Sequence, residues 1–395
     1  MAQHPVLTNA HDVADLCRHI RDAGSFALDT EFVTENTYTP ELSLVQIATP
    51  DRIAVIDSIA VPELDELWDL VADPNLPVIM HGAEQEERFC WDATGRMPGA
   101  LFDVQLAVAF TGLRYPMNYS ALVGSVLGIQ MHQNQTRTDW TRRPLSPAQL
   151  EYAAEDVEHL HAVRDRIVAQ LQELGREDWL QEERDRKLDS LAHDIENPRW
   201  WRVSGAQGLS RRSLAALREV YFWRESLAER RDMPRKRVLR DDLIVSVASA
   251  LPENVDALRR LRGYEKRKDR DIQEILDCVH DALELTDEEL PASRRPHREQ
   301  SLARMLGLLM EAVLDETCAD QEIDTSLVGT ASDLRDLIRW HLGGRSANER
   351  PTLMQGWRAL VCGDILEAVL AGDVTVSVAD PTSDHPLRIQ RRDVD

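Results

Sequence analysis

Four acids and a tyrosine stand out because of where they sit in the sequence. Asp29 and Glu31 lie two apart in LDTEF (28–32), a run that predicts a strand. Alternate strand residues point the same way, so the two carboxylates project together. They stand among Ala27, Leu28 and Phe32, where an ionised acid is costly unless a cation binds it. Glu86 follows the apolar run LPVIMH (76–81) at a predicted helix start. In α/β sheets, ligands gather at the strand ends. Tyr152 and Asp156 are four apart on a predicted helix and so share a face. Each feature also has a plain alternative. An Asp-x-Glu can be a surface pair. A Glu at a helix start suits the helix dipole. A Tyr-x-x-x-Asp can be packing beside a solvated charge.

These residues need a scaffold, and the sequence outlines one. Ser25–Phe32, Leu44–Thr49, Arg52–Asp57 and Leu76–His81 are apolar, β-rich runs of strand length. Helical periodicity covers Val61–Val71, Ala83–Thr94 and Val104–Phe110. Strands alternating with helices predict an α/β sheet. The close pair 44–49 and 52–57, joined through Pro50-Asp51, predicts that part of the sheet is antiparallel. From about Tyr119 the chain reads as helical. Ser146-Pro147 is a cap followed by a first-turn proline, and one helix is expected from Pro147 to about Leu174. A charged helix and linker follow over 176–198. A second helical block spans about 208–285, and the polar, proline-containing stretch 286–298 separates it from a third. The third is helical to about Leu370 and ends in a short strand carrying Val374, Val376 and Val378.

The chain has 395 residues and a formal charge of −23. That length suits two to three domains. The 43% hydrophobic content excludes wholesale disorder. No apolar run reaches the ~18–20 residues that span a bilayer. The first residues lack the layout of a secretory signal. Five scattered cysteines without a CxxC read as reduced thiols, so a cytoplasmic location and no membrane association are expected. The acidity disfavours a uniformly basic nucleic-acid binder. Residues 211–240 nevertheless hold ten basic and four acidic side chains, 10 − 4 = +6, which marks a directed anionic contact.

The words LDTEFVTENTYTPELSLVQIA (28–48), HGAEQEERFC (81–90), LFDVQLA (101–107) and RTDWTRRPLSPAQLEYAAEDVEHL (137–160) occur in that order. Together they resemble the ribonuclease D family, 3′→5′ exoribonucleases of the DEDD superfamily with a tyrosine in the third motif. The resemblance spans nearly all of residues 1–170. It implies a ribonuclease H-like mixed sheet in an exonuclease domain of residues 1–190. It further implies two divalent ions, Mg or Mn, with Asp29, Glu31, Glu86 and Asp156 as ligands. Hard cations of this kind prefer carboxylate oxygens. Two such ions activate water and stabilise the leaving oxygen in phosphodiester hydrolysis. Glu31 would also help fix the terminal nucleotide, and Tyr152 would orient the attacking water. With an ordinary pKa near 10, a tyrosine is a poor free base.

Glu86 departs from the pattern, since the family usually has Asp there. One more methylene shifts the carboxylate by about a bond length, against a tolerance near 0.2 Å in metal distances. Glu84 and Glu87 are the neighbouring candidates. Asp103 reads as a helix cap. His81, Gln46 and Gln105 read as buried, satisfied polar groups. Asp139, Trp140, Arg142 and Arg143 either order a loop over the site or contact RNA phosphates.

Residues 201–263, with Met233-Pro234 followed by RKRVLRDD, resemble the helical HRDC domain, a nucleic-acid-binding module. Its expected extent is 205–288, with Arg212, Arg235, Lys236 and Arg237 as candidate nucleic-acid contacts. Tyr221, Phe222 and Trp223 are spaced as a core face. The chain has 4 Lys against 42 Arg, so a basic helix is also consistent with general arginine use. Residues 297–395 resemble the C-terminal part of ribonuclease D-like proteins. They are either a diverged second HRDC domain that helps encircle RNA or a block packed on the first domain. The expected fold class is therefore α/β plus all-α.

The expected activity is metal-dependent trimming of single-stranded RNA 3′ ends, in the maturation of transfer RNA precursors and small stable RNAs. It would release nucleoside 5′-monophosphates. Two alternatives stand beside it: a DNA-directed 3′→5′ exonuclease, and an RNA-binding protein whose site is weakened by Glu86. No protein partner can be inferred. RNA is expected to approach a local basic face, with binding that weakens as salt rises.

Overall fold

The computed structural model describes residues 5–131, 138–292, 300–346 and 350–392, with the side chains of 300–304 excepted. Arg137 of the third motif's leading word and residues 293–298 of the expected second boundary lie outside them. The chain forms two compact units. The first holds Met1–Glu31, Ser43–Ala192 and Gln300–Asp395; the second holds Phe32–Leu42 and His193–Glu299.

The first unit opens with β1 (Val6–Leu7) and α1 (Ala10–Ala23), neither of which was among the expected elements. The helix was legible. Asn9 caps it by accepting the Asp12 N–H, and Val13, Leu16, Cys17 and Ile20 make a buried stripe at helical spacing. Next come β2 (Phe26–Val33), β3 (Glu41–Ala48) and β4 (Ile53–Asp57). Then follow α2 (Asp65–Val71), β5 (Val78–Met80), α3 (Glu84–Thr94) and β6 (Leu101–Asp103). The six strands form one mixed sheet in the order β1-β4-β3-β2-β5-β6. As expected, β3 and β4 are antiparallel, with Gln46 opposite Val55. β2 runs parallel to β5, and β5 to β6, so these three point their carboxyl ends the same way.

α4 (Val104–Val108) begins at Asp103, whose carboxylate accepts the Gln105 and Leu106 N–H groups. α5 (Tyr119–Leu127) begins at the cap Asn118. The single helix expected over 147–174 is two. α6 (Pro147–Glu158) and α7 (Leu160–Leu174) meet at His159, where φ is −100° and ψ −4°. Neither proline nor glycine marks the break in the sequence. Packing accounts for it: α6 lies on β4, whereas α7 lies against α4, α5 and β5. The capping box of α6 is complete, with Ser146 Oγ accepting from Gln149 and Gln149 Oε1 accepting from Ser146.

α8 (Glu177–Glu196) completes this part of the chain. In the second unit, α9 (Arg211–Arg230) packs on α10 (Arg235–Val238), α11 (Asp241–Ala250) and α13 (Asp269–Glu284). α12 (Val255–Arg259) precedes α13. Leu217, Val220, Ile244, Tyr264, Ile275 and Val279 are its fully buried centre.

The last part rejoins the first unit with α14 (Gln300–Asp320), α15 (Thr325–Val328) and α16 (Ala331–Leu342). α17 (Gly356–Arg358), a π-turn (Ala359–Gly363) and α18 (Asp364–Ala371) follow. The expected terminal strand is β7 (Val374–Val378), paired antiparallel with an unexpected β8 (Leu387–Arg391). This region shares a core with the sheet part. Trp357 packs edge-on against Phe110 at 5.0 Å and stacks on Trp179 at 5.9 Å. No helix among the described residues is long and apolar enough to cross a membrane.

Candidate active site

The acids gather where the carboxyl ends of the sheet meet two helices. β2 carries Asp29 and Glu31, both partly buried, near its carboxyl end. The first turn of α3 carries Glu86, which is 6% exposed. α6 carries Tyr152 and Asp156 on one face. Their proximity is written in their electrostatics. Burial raises the pKa of Asp29 well above the carboxylate range, and the charges of Asp156, Glu86 and Glu31 raise it further. Glu31 is pushed up to about 8 by burial, then by Asp156 and Glu86. Asp156 is pushed up to about 7, chiefly by burial, although a hydrogen bond from Tyr152 works the other way. The five sequence-chosen residues are therefore brought together. Among the described residues, Arg and Lys make no ion pair with these four acids.

Tyr152 is positioned from two sides. Its hydroxyl donates to Asp156, and its ring lies 6.0 Å from that of Trp140. Burial and the charges of Asp156, Glu31 and Asp29 raise its pKa, so the hydroxyl keeps its proton. Trp140 is buried with Leu44, Val55 and Ala153. Arg143 secures the segment: it grips Asp57 with two bonds of 2.6 and 2.7 Å and donates to the Trp140 and Ser43 carbonyls. Of the two roles weighed for this segment, Arg143 has the loop-ordering one. Asp139 bonds to Thr141 beside it, and Arg142 is exposed.

Glu86 is held by a residue that the motif reading passed over. Thr30 Oγ1 donates to Glu86 Oε1 at 2.5 Å. Thr30 sits between Asp29 and Glu31 on β2. The longer Glu side chain reaches this hydroxyl. Burial raises the Glu86 pKa, and the Thr30 bond lowers it. Glu84 is solvent-exposed, whereas Glu87 is buried with its pKa pushed up to about 7 by burial.

Two further polar groups belong here. The Tyr119 hydroxyl is buried beside the His159 backbone and makes no well-formed hydrogen bond. Burial raises its pKa, the His159 backbone lowers it, and Asp156 and Asp29 raise it again. Gln46, expected to be satisfied, has both side-chain polar atoms buried and unpartnered. It lies two residues from Leu44, on the face of β3 that packs under α6. Buried polar groups are rarely left unpaired, and water or an ion commonly explains them. By contrast His81 bonds the Met117 carbonyl at 2.9 Å, and Gln105 donates to the same oxygen at 3.2 Å.

The donor set suits a hard divalent cation. It is all oxygen, partly buried, rich in negative charge and, among the described residues, without ion-paired basic partners. Among the described residues no three His, Cys, Asp or Glu side chains are already closed into a metal cage.

The nucleic-acid candidates lie in the second unit, and most are engaged there. Arg212 donates to the Ala282, Leu283 and Leu285 carbonyls at the end of α13. Arg235 pairs with Glu225 and lies 4.8 Å above the Tyr38 ring. Arg237 donates to Asn36 Oδ1 at 3.2 Å. Lys236 is exposed.

Comparison with known proteins matches residues 5–172 to the 3′-5′ exonuclease family model and residues 213–279 to the HRDC domain. A ribonuclease D of Gluconacetobacter diazotrophicus is 32% identical over 381 residues, covering 95% of both chains. One of Nitrobacter hamburgensis is 31% identical, covering 94% of this chain and 97% of the relative. Among solved structures, Escherichia coli RNase D, an exoribonuclease involved in structured RNA processing, superposes with a TM-score of 0.81. It is 26% identical, with 93% of this chain and 99% of that one covered.

Proposed function

The chain belongs to the ribonuclease D family and is a 3′→5′ exoribonuclease; from that premise we propose that it trims single-stranded 3′ ends of structured RNAs, transfer RNA precursors foremost, in a metal-dependent reaction that releases nucleoside 5′-monophosphates. One observation carries the reading: four carboxylates converge in a partly buried site with no ion-paired basic partner among the described residues.

Asp29, Glu31, Glu86 and Asp156 would hold two Mg²⁺ or Mn²⁺ ions. Such ions, when bound, neutralise non-bridging phosphate oxygens and make water acidic enough to attack at neutral pH. The residues do the rest. Tyr152 stays protonated, and its hydroxyl beside Asp156 orients the attacking water. Trp140 and Arg143 fix the angle of the Tyr152 ring. Water's oxygen bonds to the last phosphorus, the P–O3′ bond breaks, and the released 3′ oxygen takes a proton. A single-stranded end suits this site because its terminal base can splay away from its neighbour. Five free, mostly buried thiols fit a cytoplasmic, reducing location.

The test is incubation of the full chain with Mg²⁺ or Mn²⁺ and a 3′-extended transfer RNA precursor. Single-stranded DNA runs in parallel, and Glu31→Ala is the control. The expected result is stepwise 3′ shortening with monophosphate release, lost in the variant. RNA bound but uncut with both metals would overturn the enzymatic reading. Faster loss of DNA would move the substrate to DNA.

A further inference from the structure

The stretch 211–240 is basic in sequence but mostly spent in the fold. Arg211 donates to the Asp287, Leu290 and Pro291 carbonyls. Arg212 closes the end of α13. Arg218, Arg224, Arg231, Arg235 and Arg240 are ion-paired with Glu219, Glu225 and Asp241, Asp271, Glu225 and Asp242. Arg237 is bonded to Asn36. Of the ten basic side chains, only Arg230 and Lys236 have no such partner among the described residues.

A shorter and denser basic run lies elsewhere. Residues 259–268, RRLRGYEKRK, hold six basic side chains and one acid, 6 − 1 = +5 in ten positions. They form the end of α12 and the loop into α13. The loop is pinned from beneath. Tyr264 is fully buried and donates to the Leu243 carbonyl at 2.9 Å. Arg267 donates to the Val238 carbonyl at 2.7 Å. Arg259 bonds the Glu265 and Arg267 carbonyls and pairs with Asp269. Gly263 turns the chain with a φ of +92°, a conformation that favours glycine.

What remains points outward. Arg260, Arg262, Lys266 and Lys268 are exposed, and their side chains have no ion pair or hydrogen bond among the described residues. The loop's acid, Glu265, accepts the Gly263 N–H at 2.9 Å and feels the Arg262 and Lys266 charges. Four unspent cations on a rigidly anchored loop suit a polyanion. The loop's aromatic ring is buried, so base stacking is not on offer, and contact with the phosphate backbone is.

We propose that the α12–α13 loop, through Arg260, Arg262, Lys266 and Lys268, is the phosphate-gripping surface of the second unit and binds RNA without regard to sequence. The proposal rests on the exoribonuclease reading. It replaces the +6 stretch as the place where RNA meets this unit.

The test uses the full-length protein with Arg260→Gln, Arg262→Gln, Lys266→Gln and Lys268→Gln combined. Binding to a structured RNA with a single-stranded 3′ tail is measured across salt in EDTA. Hydrolysis of a dinucleotide, which needs the active site alone, is measured with Mg²⁺. Four lost phosphate contacts should lower the slope of log K against log salt by about 2–3, at roughly 0.7 per contact on a single strand. Affinity near 0.1 M salt should fall at least about tenfold, with dinucleotide kcat/KM unchanged. Arg260→Lys with Arg262→Lys should keep the slope, and Arg218→Gln with Arg240→Gln should leave it alone. An unchanged slope in the fourfold variant, or an equal loss in the Arg218/Arg240 pair, overturns the proposal while wild-type RNA cleavage still stands. A wild type that cuts no RNA overturns the underlying reading as well.

Discussion

The first unit buries two sets of carboxylates in opposite surroundings. Glu183 on α8 is 1% exposed. Its carboxylate takes Arg358 Nη1 and Arg186 Nη2, each at 2.5 Å. Burial acts to raise its pKa, yet the bonds from Arg186 and Arg358 hold it below the usual value. Arg358 spends its other donors on the Leu327 and Val328 carbonyls. Every polar group in this clasp has a partner, and the clasp ties α8 to the C-terminal helices. At the sheet, Asp29, Glu31 and Asp156 are also withdrawn from water, but their neighbours are one another, and their pKa values rise. A buried acid with cationic partners stabilises the fold. A buried acid without them strains it and marks a place kept for a ligand.

The largest effect should come from the uncompensated set. Asp156→Asn should lower RNA hydrolysis at least about a thousandfold, on the order of 4 kcal/mol in the barrier. Stability of the metal-free protein should hold or rise, because one repelling charge is gone. Steady-state cleavage and thermal melts measure the two. A variant that unfolds would place Asp156 with Glu183 instead.

Glu183→Gln is the mirror test. It leaves Arg358 buried without a counter-charge, a loss of about 3–5 kcal/mol. Denaturant melts should show it, while activity at low temperature should largely survive. A shift under about 1 kcal/mol would reduce the clasp to an ordinary surface pair.

The two sets should also part with pH. Raised folded-state values mean that Glu31 and Asp156 hold more protons folded than unfolded. Their contribution therefore falls as pH rises from the unfolded carboxylate range near 4 through about 7 for Asp156 and about 8 for Glu31. Glu183, with its lowered value, contributes fully above that range and loses its contribution as pH falls through its folded pKa. Melts of the EDTA-treated protein should thus decline between about pH 4 and 8. Saturating Mg²⁺ should remove most of that decline, since bound cations replace protons. A melt insensitive to both would break the comparison.

Smaller effects should come from the residues around the acids. Thr30→Val frees Glu86 from its hydroxyl partner and should change the Mg²⁺ concentration for half-activity by about three- to tenfold, within the range of one hydrogen bond. Tyr119→Phe removes a buried hydroxyl that makes no well-formed hydrogen bond. It should leave stability unchanged or slightly higher and lower kcat by only a few-fold, read as a kcat-against-KM split.

Much of this site is legible along the chain because its spacing is local. Asp29 and Glu31 share a strand, and Tyr152 and Asp156 share a helix face behind a complete cap at Ser146. Thr30 was passed over because a hydroxyl carries no metal-ligand signal of its own, and its bond to Glu86 joins residues 56 apart in the chain. Tyr119 carries no signal beyond a helix start. Its place beside Asp156 depends on the packing of α5 on α7, some forty residues further on. The basic stretch differs in the opposite direction. Composition counts charges, whereas carbonyls at the end of α13 and acids on adjacent turns had already taken most of those at 211–240.

The sequence alone determined the mixed sheet, the acid set and the helical second unit. Periodicity, capping and turn chemistry act between residues a few positions apart, and motif words preserve that spacing. Tertiary structure decided which charges were spent and which were left. It split α6 from α7 at His159, sent Glu86 to Thr30, locked Arg358 onto Glu183 and left four cations free on the α12–α13 loop. Whether a charged group finds a partner depends on neighbours brought together from tens to hundreds of residues away. Local spacing carries no record of them.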